Sequence, residues 1–283
     1  MSLFSNLFPK SQKFALPVDP KRYNYVGIGI NSYRESPLKL CVNDVKALEP
    51  YWRAWGLPDA NITTLYDTDA DTKNIIAALT AAVERANPWD IVVPQYSGHG
   101  SDLPCANQRN GRMQIICPSD IEDDFERNNV PDTFFADLGR KATAKRVTII
   151  MFPFDCCHTG GLTRTLNNSS MPPLGTPRYL PAPEGAKFFG EVRRYKDDGA
   201  ETSSLAMVGG CRAEEVSYEY ADAGHGACTW GVLEALKKGN PYTLRTMHQF
   251  AYGKVTSTFP AQHPVLEGNE KLFDLPLFSP MPY

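Results

Sequence analysis

The sequence predicts an α/β fold built on a mainly parallel sheet with helices on both faces. Three observations carry that reading. From residue 24 onward, short apolar runs alternate with longer segments whose apolar residues recur every three or four positions. The clearest run, 146–154 (RVTIIMFPF), is continuously apolar from Ile149 onward rather than alternating, as a strand buried on both faces should be. The 283 residues are 42% hydrophobic and 22% charged, which excludes a collagen, a wholly disordered chain and a membrane bundle.

The elements follow in order. Residues 23–30 (YNYVGIGI) read as a buried strand. Residues 42–55 read as a helix, with Val45, Leu48, Tyr51, Trp52 and Trp55 on its apolar face. A short strand is expected at 62–66 and a helix at 72–86, capped by Asp71 or Thr72. A strand at 90–96 contains Pro94, which has no N–H to donate to a ladder, so the run should end or bulge there. Further strands are expected at 146–154, 204–209 and near 263–266, with helices at 228–238 and 241–252. Two stretches break the pattern. Residues 101–112 are polar and turn-rich. Residues 160–203 form a long loop with prolines at 172, 173, 177, 181 and 183. Loops of that length inside a compact domain are functional or disordered.

Lysine and arginine number 29 against 32 acidic residues, a net charge of −3. No overall electrostatic drive toward nucleic acid or anionic lipid follows, and neither is expected as a partner. The seven cysteines are 41, 105, 117, 156, 157, 211 and 228. An odd number with an adjacent pair is a poor disulfide framework and suits a reducing compartment. The first residues lack the apolar core of a secretion signal, and no run reaches the roughly 18 apolar residues of a membrane span. The expected location is the cytoplasm.

Sites in parallel sheets lie beyond the carboxyl ends of the strands. The 90–96 run is followed by Ser97-Gly98-His99-Gly100, and the 146–154 run by Asp155-Cys156-Cys157-His158-Thr159-Gly160. Both ends lie on one rim, which brings a histidine toward a cysteine. A free thiol titrates near ~8.5 and is mostly protonated at neutral pH. An imidazole beside it can take its proton and later protonate a leaving amine. The backbone N–H groups of Gly100 and of the cysteine can form an oxyanion hole. The plain alternatives are a small buried cysteine and a structural histidine. Competing motifs fail on spacing. Cys157 to Arg164 is Cys-x6-Arg, not the x5 of a cysteine phosphatase, and no GxSxG, CxxC, GxxxxGK[ST] or GxGxxG occurs.

Residues 96–100 (YSGHG) together with 155–160 (DCCHTG) resemble the two signature boxes of the metacaspases, caspase-like cysteine peptidases of peptidase family C14. Segments 38–44 (LKLCVND), 116–120 (ICPSD), 208–215 (VGGCRAEE) and 226–230 (GACTW) resemble further family segments in the family's order, so the resemblance spans about 23–270. It implies a caspase-like three-layer α-β-α sandwich around a mainly parallel sheet of about six strands. It implies one peptidase domain over 23–270, made of a large-subunit-like part (23–160), an internal loop (161–203) and a small-subunit-like part (204–270). An N-terminal arm (1–22) and a C-terminal tail (271–283) flank it.

The resemblance also assigns roles. Cys157 is the nucleophile and His99 its base, with the Gly100 and Cys157 amides as the oxyanion hole. Cys41, Asp44, Ser97 and Asp155 line the pocket for the residue before the cut. Cys156 and His158 are structural. Two carboxylates in a pocket favour a cationic side chain through charge-assisted hydrogen bonds, so the substrate is a protein or peptide with arginine or lysine before the cut. A plain use of Asp44 is as a helix cap.

Many metacaspases need calcium, but the family's aspartate pair is here only Pro131-Asp132-Thr133, and Arg164 stands where an aspartate would follow the CHTG box. A cation beside calcium is unfavourable, so the family-type calcium site looks degraded and no cofactor is expected to be required. Asp120, Glu122, Asp123, Asp124 and Glu126 read as a solvated acidic run that could hold a cation. The internal loop carries Arg164, Arg178, Lys187, Arg193, Arg194 and Lys196. The expected self-cleavage sites are Arg193–Arg194 or Lys196.

The leading reading is a monomeric cysteine endopeptidase that cuts after basic residues through an acyl-enzyme. The alternative is a catalytically silent caspase-like interaction module, which a pocket blocked by the long loop would favour. A third reading is a thiol hydrolase or transferase with another acyl acceptor.

Overall fold

The computed structural model describes residues 19–108, 111–157, 175–190, 204–238 and 242–277. Its strands and helices, in chain order, are β1 (Tyr23–Gly29), α1 (Cys41–Trp55), β2 (Ile62–Tyr66), α2 (Thr72–Arg85) and β3 (Ile91–Ser97). Then come β4 (Gly100–Pro104), β5 (Arg112–Ile116), β6 (Val130–Pro131), α3 (Asp132–Lys145), β7 (Thr148–Asp155) and β8 (Thr176–Pro177). The C-terminal part adds β9 (Leu205–Gly209), β10 (Tyr218–Tyr220), β11 (His225–Gly226), α4 (Ala227–Leu236), β12 (Tyr242–Thr243), α5 (Leu244–Thr258), β13 (Val265–Gly268) and β14 (Pro276–Leu277).

The central sheet has six strands in the order β13-β9-β7-β3-β1-β2. All neighbours pair in parallel except β13, which runs antiparallel to β9 at one edge. The inner strands β1, β3 and β7 are buried at every residue, as the apolar runs require. Alternate residues feed two cores. Val26, Ile28, Val92, Ile149 and Met151 pack with Ile75 and Leu79 of α2 and Leu138 and Ala142 of α3. Tyr23, Tyr25, Val93, Ile150 and Phe152 pack with Val45, Leu48 and Trp52 of α1, Val232 of α4 and Met247 of α5. The period of two along each strand thus yields the three-layer α-β-α sandwich.

Local chemistry sets the helix ends. The Asp71 carboxylate accepts from the Asn74 amide and caps α2. Gly56, at φ 104°, closes α1 in the left-handed region that glycine adopts without strain. Thr243 and Thr246 cap α5 reciprocally, so that helix starts at Leu244 and runs to Thr258, later than the spacing suggested.

At Pro94 the strand bulges, one of the two outcomes expected there, and β3 is not at an edge. The strand runs to Ser97 in the middle of the sheet, and the β3–β7 register shifts between Val92 and Tyr96, the bulge a missing N–H permits. The polar, turn-rich stretch 101–112 is not loop throughout: residues 101–104 belong to β4 and Arg112 opens β5, which pairs antiparallel with β4, with β6 as a third strand. Leu103, Met113 and Ile115 turn into the core, a period-two pattern masked by the buried polar Ser101 and Asp102. Of the long internal loop, residues 175–190 form a strap across the rim, and its β8 pairs antiparallel with β10.

Candidate active site

The carboxyl ends of β3 and β7 lie side by side, with Ser97 paired to Asp155 in register. His99 follows β3 and Cys157 follows β7, so the sheet delivers both to one rim. Tyr96 and Tyr33 fix the histidine turn. The Tyr96 hydroxyl donates to the His99 carbonyl at 2.7 Å, and the His99 amide donates to the Tyr33 hydroxyl at 3.1 Å.

The His99 ring is buried, and its Nε2 lies 2.7 Å from the Ser36 carbonyl. A carbonyl only accepts, so Nε2 carries the proton and a neutral ring leaves Nδ1 as a free base. Nδ1 has no hydrogen-bond partner among the described residues. Burial pushes the His99 pKa down to about 4, against the opposing pull of the Ser36 carbonyl. The Cys157 thiol turns to Ser217, whose amide donates to Sγ at 2.9 Å. A hydrogen bond to Cys157, and then burial, hold the Cys211 thiol well above its ordinary pKa, so Cys211 stays a protonated donor. Cys156 is buried in the core under α2 and α3.

All four expected pocket residues surround one side chain, Arg178 of the strap. Its guanidinium donates to Asp44 Oδ2 at 2.7 Å, to Ser97 Oγ at 2.8 Å and to the Asp155 carbonyl at 3.1 Å. It pairs with the Asp155 carboxylate at 3.1 Å and lies 3.9 Å from Glu219. Arg178, Asp44 and Asp155 are fully buried. Burial opposes the charge on Arg178, but Cys41, Asp155, Asp44 and Glu219 together raise its pKa well above the usual value. Burial likewise opposes ionisation of Asp44, yet Arg178, His225 and Ser97 outweigh it and hold the carboxyl below its ordinary value.

The walls are themselves anchored. Asp44 accepts from the Gly226 amide at 3.0 Å, and Asp155 from the Ser217 and Thr229 hydroxyls at 2.6 and 2.8 Å. Asp44 is the fourth residue of α1 and caps nothing. The first amides of α1, Cys41 and Val42, donate to Asn31 Oδ1 at 2.9 and 3.4 Å, and Glu219 of β10 accepts from the Lys39 and Leu40 amides just before the helix, with the Cys41 thiol 3.9 Å away. Gly226 leaves the room: a Cβ there would lie 2.2 Å from Arg178 Nη1.

The backbone of Arg178 is as constrained as its side chain. Its amide donates to the Ser217 carbonyl at 2.8 Å, and its carbonyl accepts from the amides of Gly100 at 3.0 Å and Cys157 at 3.4 Å. These are the two amides expected to form the oxyanion hole. An Arg carbonyl there is polarised toward attack, and negative charge developing on its oxygen would be stabilised.

Sequence reasoning missed Ser217, Glu219, His225, Gly226 and Cys211. Cys211 and Gly226 fall in the family-like segments 208–215 and 226–230, while Ser217, Glu219 and His225 carry no signal beyond lying in the small-subunit-like stretch after β9. Arg178 was one of several basic loop residues, and only its tertiary position sets it apart. His158, Arg164, Arg193, Arg194 and Lys196 lie outside the described residues.

The acidic run is engaged within the chain. Asp120 accepts from the Thr72 amide at 2.9 Å, and Glu122 from the Glu35 amide at 2.8 Å. Asp123 pairs with Arg34 and Asp124 with Arg127, while Glu126 accepts from the Lys187 amide. Among the described residues, no three His, Cys, Asp or Glu side chains converge as a metal-ion cage.

Among solved structures, a crystallographically determined protein of Geobacter sulfurreducens shares the fold. It superposes with a TM-score of 0.68 at 18% identity, covering 91% of this chain and 98% of that one. Metacaspase-4 of Arabidopsis thaliana is 38% identical over 146 residues, 48% of this chain and 33% of that protein. Metacaspase-2 of Trypanosoma brucei brucei is 26% identical over 258 residues, 85% of this chain and 69% of that protein. The matches to the Arabidopsis relatives span only about a third of those proteins' length. The family model for the metacaspase, peptidase C14 domain matches residues 24–165, half of the chain. With the histidine and cysteine turns of that domain on one rim, the chain belongs to the metacaspase family, peptidase C14.

Proposed function

We propose that this protein is a cysteine endopeptidase that cuts after arginine, and that the strap is its first substrate. One observation carries the reading: Arg178 fills an acidic pocket while its own carbonyl meets the Gly100 and Cys157 amides. In the reaction, His99 Nδ1 takes the Cys157 thiol proton and Sγ bonds to the carbonyl carbon. The two amides stabilise the resulting oxyanion. His99 then returns the proton to the Tyr179 nitrogen as the 178–179 bond breaks. Water, deprotonated by the same imidazole, hydrolyses the thioester and frees the thiol.

The pocket accounts for the choice of residue. Asp44 and Asp155 present acceptors to the two terminal nitrogens of a planar cation, with the Glu219 charge nearby, an arrangement that a forked guanidinium meets better than the single nitrogen of an ammonium. Arginine is therefore the preferred residue before the cut, with lysine second.

The occupied pocket also favours the silent-module alternative, and so does the thiol's turn toward Ser217 instead of His99. The backbone register speaks for the peptidase, because a plug needs no carbonyl at two convergent amides. Hydrolysis of an arginine-ending fluorogenic peptide separates the two. Turnover by the wild type, abolished in both Cys157→Ala and His99→Ala, supports the peptidase. No turnover by the wild type, even with the strap cut by an added protease, supports the silent module.

A further inference from the structure

Beyond Arg178, the strap runs along β4. The Leu180 amide donates to the Gly100 carbonyl at 3.1 Å, and Gly100 bridges in parallel to Tyr179. Further on, the Phe188 amide donates to the Pro104 carbonyl at 3.0 Å. The first residue after the proposed cut, Tyr179, is therefore bound specifically and not merely carried along. Its ring packs against the cluster that holds Cys157, Val216 and Tyr218. Its hydroxyl donates to Asp102 Oδ1 at 3.0 Å.

Asp102 is an unusual residue for a strand, being charged and fully buried. Its other oxygen pairs with Arg112 across the β4–β5 ladder. The carboxylate only accepts and keeps one oxygen directed at the strap, where a phenol supplies the matching donor. Burial, and then the Asp102 charge, raise the Tyr179 pKa, so the phenol stays a protonated donor. Nothing in cleavage after arginine requires such a contact.

We propose that Asp102, with the β4 backbone at Gly100, forms a leaving-side subsite that selects tyrosine immediately after the cut. The subsite rests on the reading of Cys157 as a peptidase nucleophile, and it narrows the substrate class from peptides with arginine to peptides with an arginine–tyrosine bond. Arg112 keeps Asp102 paired when no phenol is bound, so the preference is graded rather than absolute.

The test uses three internally quenched peptides and the full chain. One carries residues 176–180 (TPRYL), one has phenylalanine in place of the tyrosine, and one has alanine there. A hydrogen bond to a charged acceptor predicts a kcat/KM about tenfold higher for the tyrosine than for the phenylalanine peptide, with alanine lowest. In Asp102→Ala the tyrosine-to-phenylalanine ratio should fall to about one. The wild-type comparison decides the matter even if that variant does not fold. Equal efficiency for tyrosine and phenylalanine in the wild type, or a ratio that survives Asp102→Ala, overturns the subsite while leaving the peptidase standing. Failure to cut any of the three peptides overturns the peptidase reading and the subsite with it.

Discussion

Arg178 Nη2 lies 2.7 Å from Asp44 Oδ2, with both side chains fully buried and 134 residues apart in sequence. An isolated buried pair of this kind gains little, because desolvating two charges cancels much of their attraction. Here Ser97 and Asp155 take up Nη1 of the guanidinium and the Gly226 amide donates to Asp44, so the pair sits in a connected network, although Arg178 Nε has no hydrogen-bond partner among the described residues.

Breaking one side of that network leaves charge unpaired. In a Cys157→Ala background, which keeps the strap whole, Asp44→Ala should cost about 3–5 kcal/mol of stability or release the strap. Urea denaturation reads the first outcome and limited proteolysis of 175–190 the second. A variant as stable and as protease-resistant as its parent would show that the pair contributes nothing.

Gly226→Ala should act on the pocket alone. The backbone there, at φ −64°, accepts alanine, but the new Cβ would meet Arg178 Nη1 at 2.2 Å and Asp155 Oδ2 at 2.4 Å. The expected result is a folded protein with an exposed strap and at least a tenfold rise in KM for arginine peptides, as lost ground-state binding predicts. Circular dichroism and peptide kinetics check the two halves of that statement.

Acid should loosen the strap. His99 has a pKa of about 4 in the folded state against 6.5 ordinarily, so between those values the unfolded or opened chain binds more protons. Stability from the neutral ring is complete above about pH 6.5 and is lost as pH falls toward 4, by up to about 3 kcal/mol. Asp44, depressed below its ordinary value, adds a loss in the same direction at lower pH. Melting temperature against pH for Cys157→Ala should slope upward from pH 4 to 6.5, and replacing His99 by asparagine should flatten the slope.

The fold and half of the site are legible in the sequence for a physical reason. Buried strands such as 148–155 are apolar over most of their length, and a parallel sheet puts the chemistry at their carboxyl ends, so the turns that carry Ser97, His99, Asp155 and the Cys156–Cys157 pair are found by position, while the choice of Cys157 and the pocket roles of Ser97 and Asp155 come from the resemblance. Asp44 and Cys41 follow from family resemblance and not from spacing. Glu219 and Gly226 reach the pocket only through the packing of β10 and β11 against α1, and local sequence carries no trace of that. The β4–β5 hairpin is concealed because Ser101 and Asp102 put polar side chains on buried positions. Asp102 is polar there in order to meet Arg112 and Tyr179, so the break in the pattern marks a contact.

The most direct test of the central claim is the N-terminal sequence and intact mass of the purified protein after incubation. Wild type should yield a new chain beginning at Tyr179, and Cys157→Ala and Arg178→Gln should show no cut at that bond. A wild type that stays whole, or that is cut elsewhere while the 178–179 bond survives, contradicts the account.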